Sequence, residues 1–159
     1  MQSLLDHTRR PALALHPLAP AELVRPSLVG SGIELGVEVA SGLPAVGVVR
    51  VQLEQALLNL VTNAVDAMPD GGRLSLAARA DGEGVGLVVA DSGDGIPPED
   101  LPRVFDPLYT TKPPGKGTGL GLPILREIVE AHGGTVRLES RTGEGTTAVV
   151  WLPRVAEGG

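Results

Sequence analysis

The chain has 159 residues, of which 42% are hydrophobic and 20% charged, and its formal net charge is -6 at pH 7. This length supports one core of ordinary size and one main domain. The acidic balance argues against a nucleic-acid-binding protein, since such proteins neutralise phosphates with clustered basic residues. No apolar run approaches the roughly 18 residues that a membrane-spanning helix needs, and cysteine is absent. We therefore expect a cytoplasmic domain without direct membrane contact, disulfides or thiolate metal sites.

The N-terminal segment differs in composition from the rest of the chain. Residues 1–19 combine a short helix-prone stretch with closely spaced prolines, which the interior of a helix does not tolerate. We interpret this segment as the tail of a preceding element plus a linker, followed by a domain at residues 20–155 and a tail at 156–159. The domain opens with a short predicted helix over 21–29, and the alternating pattern of residues 33–40 predicts an edge strand.

The clearest predicted element is a helix from about Arg50 to Met68. Its apolar stripe, at three- and four-residue spacing, consists of Leu53, Ala56, Leu57, Leu60, Val61, Ala64, Val65 and Met68. The opposite face carries Gln55, Asn59, Thr62, Asn63 and Asp66. Asparagine costs about 0.5 kcal/mol relative to alanine inside a helix, so Asn59 and Asn63, one turn apart, indicate a binding site. On the helix alone, exposed polar residues without a function explain the pair equally well.

Asp91 follows a predicted hairpin of two strands, residues 73–80 and 85–90. Gly93 and Gly95 come next, and the lack of side chains there lets a flat ligand approach the backbone. A carboxylate at this place accepts a hydrogen bond from an exocyclic amine such as that of adenine. An ordinary Asp-Gly turn explains the same residues when they are considered alone.

A long segment with little periodicity, residues 99–116, predicts a functional lid or a disordered loop. It leads into the glycine-rich run at 117–121 and a predicted helix over 122–131. Backbone N–H groups at such a helix start bind phosphates. The glycine spacing matches neither a Walker A loop nor the dinucleotide-binding fingerprint. A closing hairpin of strands 135–140 and 146–152 is predicted to complete the domain.

Five motifs follow one another along the chain. They are Asn59-x-x-x-Asn63-Ala64, Asp91-x-Gly93-x-Gly95-Ile96-Pro97, Phe105-x-Pro107-x-x-Thr110-Thr111-Lys112, Gly117-Thr118-Gly119-Leu120-Gly121-Leu122 and Gly143-x-Gly145-Thr146. In this order they resemble the N, G1, F, G2 and G3 boxes of the catalytic ATP-binding domain of bacterial sensor histidine kinases. The resemblance implies the Bergerat ATPase fold shared with gyrase and Hsp90. That fold is an α+β two-layer sandwich, with a mixed, mostly antiparallel sheet and helices on one face.

The resemblance also implies a role for individual residues. Asn59 and Asn63 would face the triphosphate, with Asn63 as the magnesium ligand, and Asp91 would bind the adenine amino group with Thr146 nearby through water. Asn59 and Lys112 are the predicted catalytic residues, and the glycine run would supply backbone donors. The full predicted nucleotide-binding set is Asn59, Asn63, Asp66, Asp91, Gly93, Gly95, Ile96, Lys112, Lys116, Gly117, Thr118, Gly119, Leu120, Gly121, Leu122 and Thr146.

Four positions depart from the pattern of these ATPases. Asn59 stands where the gyrase and Hsp90 branch has a water-activating glutamate, which favours phosphate transfer over hydrolysis. Val48 stands where these kinases commonly have an aspartate, so the helix start lacks its expected cap. Leu108-Tyr109 replaces two phenylalanines in the F box and is expected to alter lid packing.

None of the three histidines fits the sequence setting of a phosphoacceptor. His7 precedes Thr-Arg-Arg-Pro, His16 lies among prolines, and His132 ends a predicted helix, where a dipole or capping role is expected. We therefore expect a Mg-ATP-binding kinase domain that does not phosphorylate itself and is monomeric in isolation. Its partners would be a separate dimeric domain carrying the phosphoacceptor histidine and a response regulator. The resemblance also implies that residues 1–19 are the remnant of the preceding dimerisation helix plus a linker, since residues 1–10 resemble the end of that domain's second helix. A stand-alone serine kinase of the anti-sigma-factor type and a non-enzymatic nucleotide-binding module remain alternatives.

Overall fold

A computed structural model of the chain describes residues 12–13, 25–26, 28–106 and 121–155. The strands are β1 (Ala12–Leu13), β2 (Ile33–Val39), β3 (Val46–Gly47), β4 (Gly72–Asp81), β5 (Gly84–Asp91), β6 (Thr135–Arg141) and β7 (Gly145–Pro153). The helices are α1 (Arg50–Asp66) and α2 (Gly121–Ala131), with a 3₁₀ turn at Leu101–Arg103.

Five strands form a mixed sheet in the order β2-β4-β5-β7-β6. β2 runs parallel to β4, and every other neighbouring pair in this sheet is antiparallel. β1 and β3 form a separate two-stranded antiparallel pair. The predicted α+β class with a mostly antiparallel sheet is therefore confirmed.

Alternate residues of each strand point to the same face of the sheet, and the apolar ones form the core with both helices. Both helices therefore pack on that face. β5 lies at the centre of the sheet and supplies Val85, Leu87 and Val89 to the core. The buried stripe of α1 matches the sequence prediction and consists of Leu53, Ala56, Leu60, Val61 and Ala64. None of the helices among the described residues has the length and apolar character that crossing a membrane requires.

α1 ends two residues earlier than the apolar pattern predicts. Its last helical residue is Asp66, and Ala67 forms the C-cap. Met68 is buried but precedes Pro69, and the residue before a proline is disfavoured in helical conformation. The spacing of buried apolar residues therefore extends to Met68, beyond the last helical residue.

The predicted boundaries elsewhere agree with the structure to within one or two residues. The edge strand β2, the hairpin of β4 and β5, and the closing hairpin of β6 and β7 all occur where the patterns place them. The short strands β1 and β3 were not predicted. The helix predicted over 21–29 and the lid predicted over 99–116 lie largely or partly outside the described residues.

Candidate functional site

Asp91 lies at the end of the central strand β5, directly opposite Thr146 at the start of β7. Its Oδ1 accepts hydrogen bonds from the backbone N–H of Gly93 at 2.8 Å and of Thr146 at 3.3 Å. These two bonds fix the orientation of the Asp91 carboxylate through its Oδ1 atom. The second oxygen has no hydrogen-bond donor among the described residues, and it is the atom placed to accept a donor from a ligand.

The pKa of Asp91 is raised above its ordinary value. Partial burial is the largest cause, and the nearby charge of Asp94 acts in the same direction. The two backbone N–H donors, from Gly93 and Thr146, lower the pKa and offset part of this rise. A partly desolvated carboxyl with a perturbed pKa is typical of a functional site, since a ligand donor there replaces the lost water.

Ser140 of β6 connects this carboxylate to the loop that follows it. Its Oγ lies 2.7 Å from the Ile96 nitrogen, 2.8 Å from the Thr146 Oγ1 and 3.0 Å from the Gly145 carbonyl oxygen. We call the group Asp91, Gly93, Ile96, Ser140 and Thr146 the Asp91 corner. Sequence reasoning missed Ser140, although pairing strands outward from the predicted turn at residues 142–145 places it opposite Thr146.

The glycines of this region have a packing role in the structure. A Cβ at Gly93 would lie 2.5 Å from the Ala67 carbonyl oxygen at the end of α1. A Cβ at Gly95, whose φ is +76°, would overlap the Arg141 backbone. The prediction gave these glycines the role of admitting a flat base, and that role stays a prediction. What the structure adds is that glycine lets α1 and the β6–β7 turn approach the loop.

The C-terminal end of α1 is hydrogen-bonded to the loop that follows Asp91. The Asp94 N–H donates to the Ala67 carbonyl at 3.2 Å, which ties the helix end to the loop after Asp91. Asn59 and Asn63 are half-buried, and Asn59 Oδ1 accepts a hydrogen bond from Gln55 Nε2 at 2.9 Å. The predicted asparagine pair thus lies on the helix whose C-terminal end is bonded to the loop after Asp91.

The other end of α1 is held by His132, which follows the end of α2. The N-cap of α1 is Val49, and it makes no side-chain capping bond, as the apolar residues at this boundary predict. Instead, His132 Nε2 accepts the Val49 N–H at 3.3 Å, and its Nδ1 lies 2.7 Å from the Ile128 carbonyl. A carbonyl only accepts, so Nδ1 carries the hydrogen and the ring is the neutral tautomer. His132 is only 4% exposed.

Only part of the predicted phosphate side lies within the described residues. α2 begins at Gly121, and Leu122 packs partly buried against the core. Lys112, Lys116 and residues 117–120 lie outside the described residues, so their predicted roles stay predictions.

One contact of the predicted F box is described. The Arg126 guanidinium of α2 lies 5.5 Å from the centroid of the Phe105 ring, within the range of a cation–π interaction. This contact joins α2 to the start of the predicted lid.

Comparison with known proteins identifies relatives of this chain. The profile of the family described as histidine kinase-, DNA gyrase B- and HSP90-like ATPase matches residues 48–156. Sensor kinase CckA from Brucella abortus is 37% identical over 155 residues, which cover 88% of this chain and 16% of that protein. Sensor histidine kinase ZraS from Escherichia coli K12 is 46% identical over 102 residues, covering 64% of this chain and 22% of that protein. The chain thus spans 16% to 22% of the length of these relatives.

Solved structures give the same result. The catalytic domain of histidine kinase ThkA superposes with a TM-score of 0.73 at 31% identity, covering 84% of this chain and 91% of that one. Full-length ShkA in complex with AMPPNP gives a TM-score of 0.77 at 29% identity, covering 97% of this chain and 36% of that one. The sheet and two helices described above are therefore those of histidine kinase catalytic domains.

Proposed function

Because the chain belongs to the histidine kinase-, DNA gyrase B- and HSP90-like ATPase family, we propose that it binds Mg-ATP and acts as the catalytic domain of a sensor histidine kinase. In this role it donates the γ-phosphate of ATP to a histidine of a separate dimeric phosphoacceptor domain, and a response regulator then receives the phosphate. The domain itself is a cytoplasmic monomer.

The Asp91 corner is the observation that carries this proposal. One carboxylate oxygen of Asp91 is fixed by two backbone donors, and the other is left for a ligand. Adenine presents an exocyclic amino group, which is a donor, where guanine presents a carbonyl oxygen, which only accepts. The corner is therefore complementary to ATP and disfavours bases with a carbonyl at that position.

The polar face of α1 fits a magnesium ion whose other ligands come from the nucleotide. Asn63, the predicted magnesium ligand, offers a neutral amide oxygen, and Mg²⁺ prefers oxygen ligands while taking the remainder from phosphates and water. Within the described ranges, no cluster of three His, Asp or Glu side chains forms a metal site. Because Mg²⁺ in nucleotide sites is held by one or two protein ligands together with the substrate phosphates, we expect magnesium to bind with ATP. The ion supplies neutralisation of the phosphate charge during transfer.

Asn59 supports transfer to a protein rather than to water. Its amide has no basic lone pair with which to take a proton from water, and its Oδ1 already accepts a hydrogen bond from Gln55. Phosphoryl transfer needs mainly positioning and charge stabilisation, which this chain supplies without a nucleophile of its own. Lys112 and Lys116 of the predicted lid are proposed to meet the phosphates.

His132 is not the phosphate acceptor. It is buried, and both of its ring nitrogens are engaged in hydrogen bonds, so neither is available for attack on phosphorus. His7 and His16 lie outside the described residues and lack the sequence setting of an acceptor. The acceptor histidine is therefore proposed to lie on another domain or chain.

The proposal is tested with the purified chain and radiolabelled ATP. We expect calorimetry to show ATP binding that requires magnesium, and no label to enter the chain when it is incubated alone. Adding the dimeric phosphoacceptor domain of a related sensor kinase should give label on that domain, which acid removes, as it does from phosphohistidine. Label on this chain alone would contradict the separate acceptor, and acid-stable label would indicate a serine kinase.

Asn63→Ala provides the matched test of the metal side. It removes the predicted magnesium ligand, so we expect Mg-dependent ATP binding to fall by at least roughly 10- to 100-fold, the cost of losing even an outer-shell partner of a metal ligand. The control is Thr62→Ala, which changes the adjacent, exposed residue of the same helix. Equal affinities in the two variants would remove Asn63 from the site.

A further inference from the structure

We propose that Ser140 is a positioning residue for base recognition, because it orients the Thr146 hydroxyl as a hydrogen-bond acceptor towards the nucleotide. This inference rests on the proposed function, since it concerns how the same site selects its base. The Ser140 Oγ lies within 3.0 Å of atoms from two segments, the loop after β5 and the start of β7.

Counting hydrogens fixes the direction of each bond. The Ile96 N–H can only donate and the Gly145 carbonyl can only accept, so Ser140 accepts from the first and donates to the second. A serine hydroxyl has one hydrogen and two lone pairs, which leaves one lone pair for the Thr146 hydroxyl at 2.8 Å. The Thr146 hydrogen therefore points to Ser140.

The opposite assignment satisfies fewer groups. If Ser140 donated its hydrogen to Thr146, its oxygen would face the Gly145 carbonyl oxygen at 3.0 Å with no hydrogen between them. Two acceptors at that separation repel, and the carbonyl would lose a partner. The assignment that uses all three contacts is the one in which the Thr146 oxygen turns its lone pairs outward.

This arrangement places two acceptors side by side at the corner. Thr146 is the strand partner of Asp91 and donates its own backbone N–H to the Asp91 carboxylate. With its hydroxyl hydrogen committed to Ser140, Thr146 adds a second acceptor next to the carboxylate. A base with an amino group, or a water that donates to such a base, fits this pair. A base with a carbonyl oxygen at the same place meets acceptors only.

Removing the Ser140 hydroxyl should therefore relax the selection between bases. In Ser140→Ala, the Thr146 hydroxyl is released, and it can rotate to donate to a carbonyl oxygen. Inosine triphosphate differs from ATP in carrying a carbonyl oxygen in place of the amino group, so it is the appropriate probe. We expect the ratio of the ITP to the ATP dissociation constant, measured by calorimetry with magnesium, to fall by about tenfold, which corresponds to one neutral hydrogen bond.

Two variants separate positioning from general stability. Ser140→Thr keeps a hydroxyl at this place and should restore the preference for ATP. Thr147→Ala lies on the same strand but on the opposite sheet face, and it should leave the ratio unchanged. Thermal unfolding of each variant shows whether the fold is retained.

The outcomes are distinct. An unchanged ratio in folded Ser140→Ala, with both affinities reduced in parallel, would show that Ser140 only supports the fold and would overturn the inference. If Ser140→Ala does not fold, Thr146→Val removes the oriented acceptor directly, and an unchanged ratio there overturns the inference equally. Failure of the unmodified chain to bind Mg-ATP would instead overturn the proposed function.

Discussion

The two sides of the candidate site are held in place by different means. At the Asp91 corner, hydrogen bonds of 2.7 to 3.3 Å connect the Asp91 carboxylate, the loop after it and the neighbouring strands β6 and β7. The asparagine face of α1 is positioned indirectly, by hydrogen bonds that tie the helix at its two ends. Ala67 at its C-terminal end bonds to the loop after Asp91, and Val49 at its start bonds to His132. Between these ties, the apolar stripe of α1 packs into the core.

This difference predicts how each side responds to substitution. The geometry of the Asp91 corner follows from strand register, so a change there should alter recognition while the fold persists. The geometry of the asparagine face depends on how α1 sits on the sheet, so changes at its ties should alter stability first. Three substitutions test this division, from the largest expected effect to the smallest.

Asp91→Asn should cause the largest loss. The asparagine Oδ1 still accepts from Gly93 and Thr146, but its amino group then faces the adenine amino group, donor against donor. Leaving a buried donor unpaired in place of a charge-assisted bond should weaken ATP binding by on the order of 100-fold. The same amino group can donate to the carbonyl of ITP, so the base preference should shift towards ITP in calorimetric titrations.

Although Asp91→Asn should weaken ATP binding, it should not lower the free energy of unfolding at neutral pH. Because the pKa of folded Asp91 is raised, the ionised carboxylate costs stability at neutral pH, and this cost disappears as pH falls through that pKa. Asparagine does not titrate, so the variant should be at least as stable as the natural chain at pH 7. Its advantage should shrink in acid, as followed by urea unfolding at several pH values. A variant that is much less stable at pH 7 would place Asp91 among the residues that hold the fold.

The sequence predicted the Asp91 corner better than it predicted how α1 is held. Asp91 ends an apolar run, and its register partner Thr146 follows a glycine turn. Local patterns therefore place both residues at strand ends, on the same end of the sheet. The stripe of α1 predicted which face of the helix is buried. These features depend on short-range periodicity and turn chemistry, which a single sequence records.

The ties of α1 could not be read from the sequence in the same way. His132 and Val49 are 83 positions apart, and nothing in the local pattern of either residue indicates the other. A capping or dipole role was predicted for His132 at the end of α2, and its Nδ1 does lie 2.7 Å from the Ile128 carbonyl there. Its Nε2, however, accepts the Val49 N–H at the start of α1, which was not predicted. The packing of Gly93 against Ala67 likewise depends on where α1 ends, which Pro69 determines. Contacts of this kind form only when the helices pack against each other and against the sheet, so local sequence patterns do not indicate them.

His132→Leu should have an intermediate effect, on stability rather than on base recognition. Leucine fills the buried space but leaves the Val49 N–H without its acceptor and the Ile128 carbonyl without its donor. We expect a loss of about 1 to 3 kcal/mol in the free energy of unfolding, measured with urea. The ratio of ITP to ATP affinity should not move, since the Asp91 corner is untouched.

The control for His132 is Glu130→Gln on the exposed side of the same helix. It removes a surface ion pair with Arg126, and such pairs contribute at most about 1 kcal/mol. Equal stabilities for the two variants would show that the His132 bridge does not hold α1. A changed base preference in His132→Leu would show that the two sides of the site are coupled.

Trp151→Phe should have the smallest effect and should spare the site altogether. The indole N–H donates to the Asp81 carbonyl at 2.9 Å, and the ring lies against Gly84 at the turn between β4 and β5. Phenylalanine keeps an aromatic ring but loses this bond, so the unfolding free energy should fall by about 1 kcal/mol. The turn lies at the far end of β5 from Asp91, roughly 23 Å away at 3.3 Å per residue. ATP affinity should therefore equal that of the natural chain in calorimetry. A weaker affinity would mean that the far end of the sheet sets the geometry of the Asp91 corner, contrary to the local hydrogen bonds described above.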